Sequence, residues 1–296
     1  MLNLNLISLY KMISPELQHI RKTFPLLSDH NTSTINHRSI AADLDGTLLK
    51  AKLSFPYYIL IAIESGSLLR GLILITSLPI ISFIYNFISE SLAAKILIFI
   101  TFCGVKYCDI EGASHALLPR FYAADVRRDS FEVFDRCERK VIVTANPVVM
   151  VETFAKEVLG AEKVIGTEIE VDVRTKRATG FVMEPGVMIG ELKKVAVVME
   201  FGEELPDIGL GDRRSDCEFM SVCKEGYMVP KDHFASLVSP QCLKNQLIFQ
   251  DGCLERPSSY IIYYICLPFR FLLYPFRAYF NLSLIEGIAR CAYRRM

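Results

Sequence analysis

Three short apolar runs in this chain each close on a polar, reactive side chain, and this recurrence narrows the fold more than any other feature. "SIAA" (Ser39 to Ala42) runs into Asp43-Leu44-Asp45-Gly46-Thr47, "RKVIV" into Thr144, and "DIGLG" into Asp212, with Asp216 just beyond in "GDRRSD". Runs of this kind read as strands buried on both faces of a parallel sheet. Ligands of such sheets bind outside the carboxyl ends of the strands, where residues distant in sequence converge. The expected fold class is therefore α/β, a Rossmann-like doubly wound parallel sheet. "DLDGT" alone also suits a turn or the opening of a calcium loop, but the later ligands of such a loop and its bidentate Glu do not follow.

Composition excludes some functions and localises others. The 296 residues carry 33 basic and 33 acidic side chains, so no net field points to nucleic acid as a partner. The hydrophobic fraction is 51%, high for a soluble enzyme, and the excess is concentrated near residues 68–102 and 260–280. "GLILITSLPIISFIYNFIS" (Gly71 to Ser89) has 19 residues without a charge, close to the length that spans a bilayer. "AAKILIFITFCG" offers a second, shorter apolar helix. Together they read as a membrane-inserted or re-entrant hairpin, with a buried soluble cap as the competing interpretation, since Pro79 and Asn86 weaken a span. Nine cysteines show no Cys-x-x-Cys pair, which fits reduced thiols on the cytosolic side.

The chain divides into a weakly ordered leader (1–37), a catalytic α/β domain (38–240) with an apolar helical cap at about 50–135 inserted after the first strand, and an apolar segment (241–296). Pro268, Arg270, Pro275 and Arg277 break that last segment, giving it an interfacial rather than spanning character. Within the domain, "PVVMVETFAKEVLG" and "GELKKVAVVMEFG" read as helices, the second stopped by Gly202. "KVIGTEIEVDVRTKRATGFV" reads as two strands joined by a charged turn.

The clustered carboxylates suit phosphoryl transfer. One can act as nucleophile and form an aspartyl-phosphate. Several together repel one another, so a hard cation such as Mg2+ is expected among them. A hydroxyl, a lysine and backbone N–H groups would complete the phosphate cradle.

"DLDGT", "VTAN" and "GDRRSD" resemble three motifs of the haloacid dehalogenase-like phosphatases, of the phosphoserine phosphatase type. The resemblance implies Asp43 as nucleophile and Asp45 as general acid/base. It implies Thr144, with Asn146 and Lys193, as phosphate-binding groups, and Asp43, Asp45 (through its carbonyl), Asp212 and Asp216 around Mg2+. Lys193 and Lys194 both remain candidates for the lysine, because the usual spacing falls nearer Ile189.

A longer set of segments resembles a narrower family. "AADLDGTLL", "AIESGSLLRGLILI", "LPRFYAADVRRDSFEVFDRC", "VTANPVVMVETF" and "DIGLGDRRSDCEFMSVCKEGYMV" look like the N-terminal half of plant glycerol-3-phosphate sn-2-acyltransferases of the cutin-forming type. That family implies acyl transfer to glycerol 3-phosphate followed by phosphate removal. None of the five histidines has the aspartate that a His-x4-Asp acyltransferase pair requires. The chain accordingly reads as a shortened form carrying the phosphatase half. The function expected is Mg2+-dependent dephosphorylation of an sn-2 lysophosphatidate to 2-monoacylglycerol, at the cytosolic face of the endoplasmic reticulum membrane. The alternative is a non-catalytic, membrane-associated remnant.

Overall fold

The computed structural model describes residues 24–27, 38–230, 235–239 and 242–243. The chain divides into two units after Leu247, and all described residues belong to the first. The expected leader falls mostly, and the apolar segment after 240 almost wholly, outside them.

At the centre lies strand β1 (Ser39–Ala42), hydrogen-bonded on one side to β2 (Arg139–Pro147) and on the other to β6 (Ile208–Gly211). Strands β3 (Lys163–Thr167) and β7 (Glu225–Met228) form the edges, giving the order β3-β2-β1-β6-β7. Every pairing is parallel. Ala42 lies level with Ile142 and Leu210, so β1 and β6 end side by side while β2 runs on to Pro147. The alternation of side chains explains why the strands are apolar throughout. Ile40, Ala42, Ile142 and Leu210 face one core, while Ala41, Val141 and Val143 face another with Phe201, Phe219 and Met220.

A helical insertion follows β1. It comprises α1 (Phe55–Ile61) running into a π turn (Ala62–Gly66), α2 (Leu68–Phe87), α3 (Glu90–Phe102), α4 (Tyr107–Ala123) and α5 (Arg128–Arg136). Ser67 and Ser89 accept from the backbone N–H of Arg70 and Leu92 and so cap α2 and α3. Helix α2 continues through Pro79 and is long and apolar enough to cross a membrane; only 17% of its most apolar stretch is buried. It is therefore not a core helix.

One sequence reading needs correction. The 163–182 stretch is not one hairpin. Lys163–Thr167 joins the main sheet as β3, and the hairpin is the remainder, β4 (Ile169–Val171) with β5 (Ala178–Val182). The close approach of β3 to β2 decides this. A Cβ at Gly166 would lie 2.8 Å from the Asn146 carbonyl, and the Thr167 hydroxyl donates to the Ala145 carbonyl at 2.7 Å. The β4–β5 hairpin instead packs on the end of α3, where Phe181 meets Phe99 with ring centroids 5.7 Å apart.

Helix α6 (Val148–Thr153) and the π turn after it (Phe154–Val158) pack against the insertion. Tyr122 of α4 sits between Tyr57 of α1 (4.2 Å) and Phe154 (5.0 Å), fully buried, and its hydroxyl has no hydrogen-bond partner. Its ring thus carries the junction while its hydroxyl contributes nothing. Tyr122→Ala should lower unfolding stability by about 3–5 kcal/mol through the cavity it leaves. Tyr122→Phe should be neutral or stabilising within about 1 kcal/mol. Urea titrations of the two variants check this, and a comparable loss in both would reveal a partner for the hydroxyl.

Candidate active site

Because β1 and β6 end beside the middle of β2, the residues that follow them meet Thr144 and Asn146 of β2. The Asp43 N–H donates to the Leu210 carbonyl at 2.9 Å, which stitches the β1 end to the β6 end. The chain then turns through Gly46 at φ +80°, where a Cβ would lie 2.4 Å from Asp212 Oδ2. Only glycine allows the Asp212 carboxylate so close to that loop. One oxygen each from Asp43, Asp212 and Asp216 lies within 4.8 Å of the others, and all three residues are buried.

Helix α7 (Glu191–Phe201) brings the fourth component. Lys193 Nζ donates to Asp43 Oδ1 and to Asp216 Oδ1, both at 2.7 Å, with its side chain 4% exposed. Of the two candidate lysines it is Lys193 that bridges these carboxylates; Lys194 is also buried. Asp45 is oriented by two donors, Ser54 Oγ at 2.6 Å and Asn146 Nδ2 at 2.8 Å, both to Oδ2. The Asn146 amide is thus committed to Asp45. Thr144 is fully buried beside it, its Oγ1 accepting from the Asn146 N–H at 3.2 Å.

Four carboxylates face Lys193 and Arg213, with Lys52 also acting on Asp212. Burial, then the Asp216 carboxylate, hold the Asp43 carboxyl well above the usual range, against the pull of Lys193 and Arg213. Burial likewise raises Asp45, opposed by Ser54, Arg213 and Asn146. Asp212 is pushed up to about 6 by burial, against Arg213. Lys193 is held protonated by Asp216 and Asp43 despite its own burial. This excess of negative charge fits a divalent cation, as does the buried Asp212 Oδ1, which makes no hydrogen bond and has only an ion pair with Arg213 Nε at 3.5 Å. Asp43, Asp212 and Asp216 would hold the ion. The carboxylate Oδ1 of Asp45 is also buried and unpaired, as is the hydroxyl of Thr47, which lies next to the loop glycine.

The sequence reading did not single out Ser54, Thr47 or Arg213. Arg213 lies inside the motif "GDRRSD", between the carboxylates that carry its chemical signal. Its side chain pairs with Asp212 at 3.5 Å and reaches Tyr85 and Glu90 of the insertion at 3.1 and 3.0 Å.

Comparison with known sequences gives a match over residues 39–229 to the HAD-like domain of RAM2-like glycerol-3-phosphate acyltransferases. The chain belongs to this family. It is 44% identical to glycerol-3-phosphate acyltransferase RAM2 of Petunia hybrida over 234 residues, which is 78% of this chain and 48% of the relative. Identity to glycerol-3-phosphate acyltransferase 1 of Arabidopsis thaliana is 31%, over 91% of this chain and 49% of that protein. The chain thus spans about half the length of the curated relatives it matches. Among solved structures, a protein of unknown function from Bordetella pertussis Tohama I superposes with a TM-score of 0.51 at 17% identity, covering 62% of this chain and 85% of the other. That likeness concerns the fold alone, and it agrees with the α/β class of this RAM2-like domain.

A cation at these carboxylates should stabilise the fold itself. At about 100 times its dissociation constant, Mg2+ should add about 2.7 kcal/mol, read as a rise in melting temperature. Protons compete for the same carboxylates, so the rise should be larger at pH 8 than at pH 5. In EDTA the sign reverses. A carboxyl whose folded pKa is raised, as for Asp212 at about 6, takes up a proton on folding, so stability falls as pH climbs from about 4 to 6. An equal Mg2+ shift in an Asp212→Asn/Asp216→Asn double variant would move the cation elsewhere.

Proposed function

We propose that this chain is the phosphatase domain of a glycerol-3-phosphate 2-O-acyltransferase family protein, hydrolysing a lipid phosphate. The substrate that fits best is an sn-2 lysophosphatidate, converted to 2-monoacylglycerol in glycerolipid and cutin synthesis. The observation carrying this reading is a cavity of about 310 Å³ that begins at Asp45 and Asn146 and extends between α1, α2 and α3. Its polar end reaches Asp45 of the carboxylate site, beside Asn146 and Arg213; its other walls are largely apolar, with Tyr58, Leu78, Ile81 and Leu97 along them. A phosphate head with one acyl chain matches both ends.

In the reaction proposed, a carboxylate oxygen of Asp43 attacks phosphorus and the P–O bond to the glycerol oxygen breaks. Asp45 gives its proton to that departing oxygen, and its raised affinity for a proton suits the task. Water then attacks the aspartyl-phosphate, Asp45 takes the proton back, and inorganic phosphate leaves. Lys193, fixed against Asp43 and Asp216, positions the nucleophile and offsets charge on the phosphoryl oxygens. The hydroxyls of Thr144 and Thr47 are available to the phosphoryl group at the strand ends. When bound, Mg2+ would neutralise the phosphoryl oxygens and relieve the repulsion among the carboxylates.

We further infer that the insertion contacts a membrane. Leu68, Leu69, Ile80, Phe83 and Phe87 of α2 point outward, with Phe87 74% exposed. An apolar surface of this extent requires a partner, and a bilayer on the cytosolic side of the endoplasmic reticulum is the partner that also holds the substrate.

Purified protein with Mg2+ should release phosphate from sn-2 lysophosphatidate and from an aryl phosphate, and Asp43→Asn should abolish both activities. Ala94→Trp, which intrudes on the cavity wall, should impair the lipid substrate about tenfold more than the aryl phosphate. Folded, Mg2+-loaded protein that released phosphate from neither would leave the non-catalytic remnant as the reading. For the membrane, Phe83→Asp/Phe87→Asp should lower the fraction bound to phospholipid vesicles after a carbonate wash by about tenfold or more, since each ring contributes about 1.5–3 kcal/mol on burial.

A further inference from the structure

Helices α2 and α3 form a hairpin held by an arginine at each end. At the root, Arg70 donates to the carbonyls of Ile100 (2.9 Å), Thr101 (3.2 Å) and Cys103 (2.8 Å), satisfying the last turn of α3. At the tip the clamp comes from outside the hairpin. Arg213, on the loop after β6, donates to the Tyr85 hydroxyl near the end of α2 and to Glu90 Oε1 at the start of α3. It also donates to the Lys52 carbonyl, in the segment that leaves the Asp43–Asp45 loop. The other described polar contacts at the tip, Asn86 to Ser82 and Leu92 to Ser89, stay within the hairpin.

Arg213 also belongs to the carboxylate site. Its backbone N–H donates to Asp216 Oδ2 at 3.1 Å, and its side chain lies 3.5 Å from Asp212. The loop that carries Asp212 and Asp216 is therefore joined to the tip of the insertion through Arg213. An exposed ion pair would be worth little, but Arg213 and Glu90 are only 23% and 27% exposed, and the guanidinium is engaged by three separate segments. Arg213 lines the cavity at its polar end, while Leu78 and Ile81 of the hairpin form part of its apolar wall. Were the tip released, that wall would leave and the carboxylates would stay.

We propose that Arg213 is a positioning residue that latches the α2–α3 tip to the carboxylate loop and thereby makes the site selective for an anionic head bearing an apolar chain. The selectivity rests on the phosphatase reading above; the latch itself does not. Opening of the latch admits the chain, and its closure sets the chain against Leu78 and Ile81 with the head beside Asp45.

Two measurements on the full chain test this separately. In amide hydrogen exchange, Arg213→Lys and Glu90→Gln should each speed exchange in residues 80–92 by about tenfold, the scale of one charge-assisted hydrogen bond. The double variant should go no further than the single ones, and exchange at the root (97–103) and in β1 should not change, which also shows that the variants fold. Tyr85→Phe should give a smaller change in the same residues. Unchanged exchange in residues 80–92, or fully additive effects in the double variant, would overturn the latch. In kinetics, Glu90→Gln should raise KM for lysophosphatidate about tenfold more than KM for an aryl phosphate, with kcat changed alike for both. Equal changes in both KM values would overturn the selectivity. Absence of phosphate release from the unsubstituted protein would refute the phosphatase reading, and with it the selectivity, while leaving the exchange result to decide the latch.

Discussion

Lys193 bridging Asp43 and Asp216 is the contact on which the rest of the site depends. Four carboxylates converge beyond the ends of β1 and β6, and burying them without compensation would oppose folding. One ammonium, buried with them at 2.7 Å from each of two partners, offsets part of that cost. Removing one member of such a buried group costs about 3–5 kcal/mol, because the remaining charges stay buried. The placement of α7 follows from this requirement. Gly190 enters the helix at φ +56°, which lets the chain turn sharply and deliver a lysine from the first helical turn. Residues next to each other on a helix point about 100° apart, so Lys193 and Lys194 cannot both face Asp43.

The main sheet was legible because its signals are local. Short apolar runs ending in Asp or Thr specify buried parallel strands, and parallel strands place their ends on one side. The sequence alone therefore points Asp43, Thr144, Asp212 and Asp216 to one crevice. The hairpin at 163–182 was misread because β3 and β4 are separated by one residue, and nothing in "KVIGTEIEV" shows which half the sheet takes. Contact with Asn146, which lies far away in sequence, makes that choice. Strand β7 escaped for a related reason: "EGYM" is four residues at an edge, with little apolar pattern of its own.

Arg213 and Ser54 illustrate a different limit. Both flank recognisable positions, yet their roles arise from where the insertion folds back. Ser54 reaches Asp45 because the chain leaves the loop and returns within nine residues. Arg213 reaches Tyr85 and Glu90 across more than a hundred residues, and no periodicity encodes that approach. Charged residues inside a carboxylate motif draw attention as candidate ligands; a cation there is easily dismissed as a counter-ion. In this chain the counter-ion is also the link between two parts of the fold.

The apolar excess of the sequence follows from the same arrangement. A helical insertion placed directly after the Asp43–Asp45 loop must start and end beside the carboxylates. Its α2–α3 hairpin consequently has two apolar duties on opposite sides. Inward, Leu78 and Ile81 wall a cavity that opens at Asp45; outward, Phe83 and Phe87 face away from the core. A soluble hairpin needs only one such face. Helices apolar on both sides suit a cap between a lipid surface and a polar site. Such a cap has no hydrophobic preference for one orientation, since either face is acceptable to lipid or to core. Orientation must then come from polar contacts at defined points, which is what Arg70 at the root and Arg213 at the tip provide.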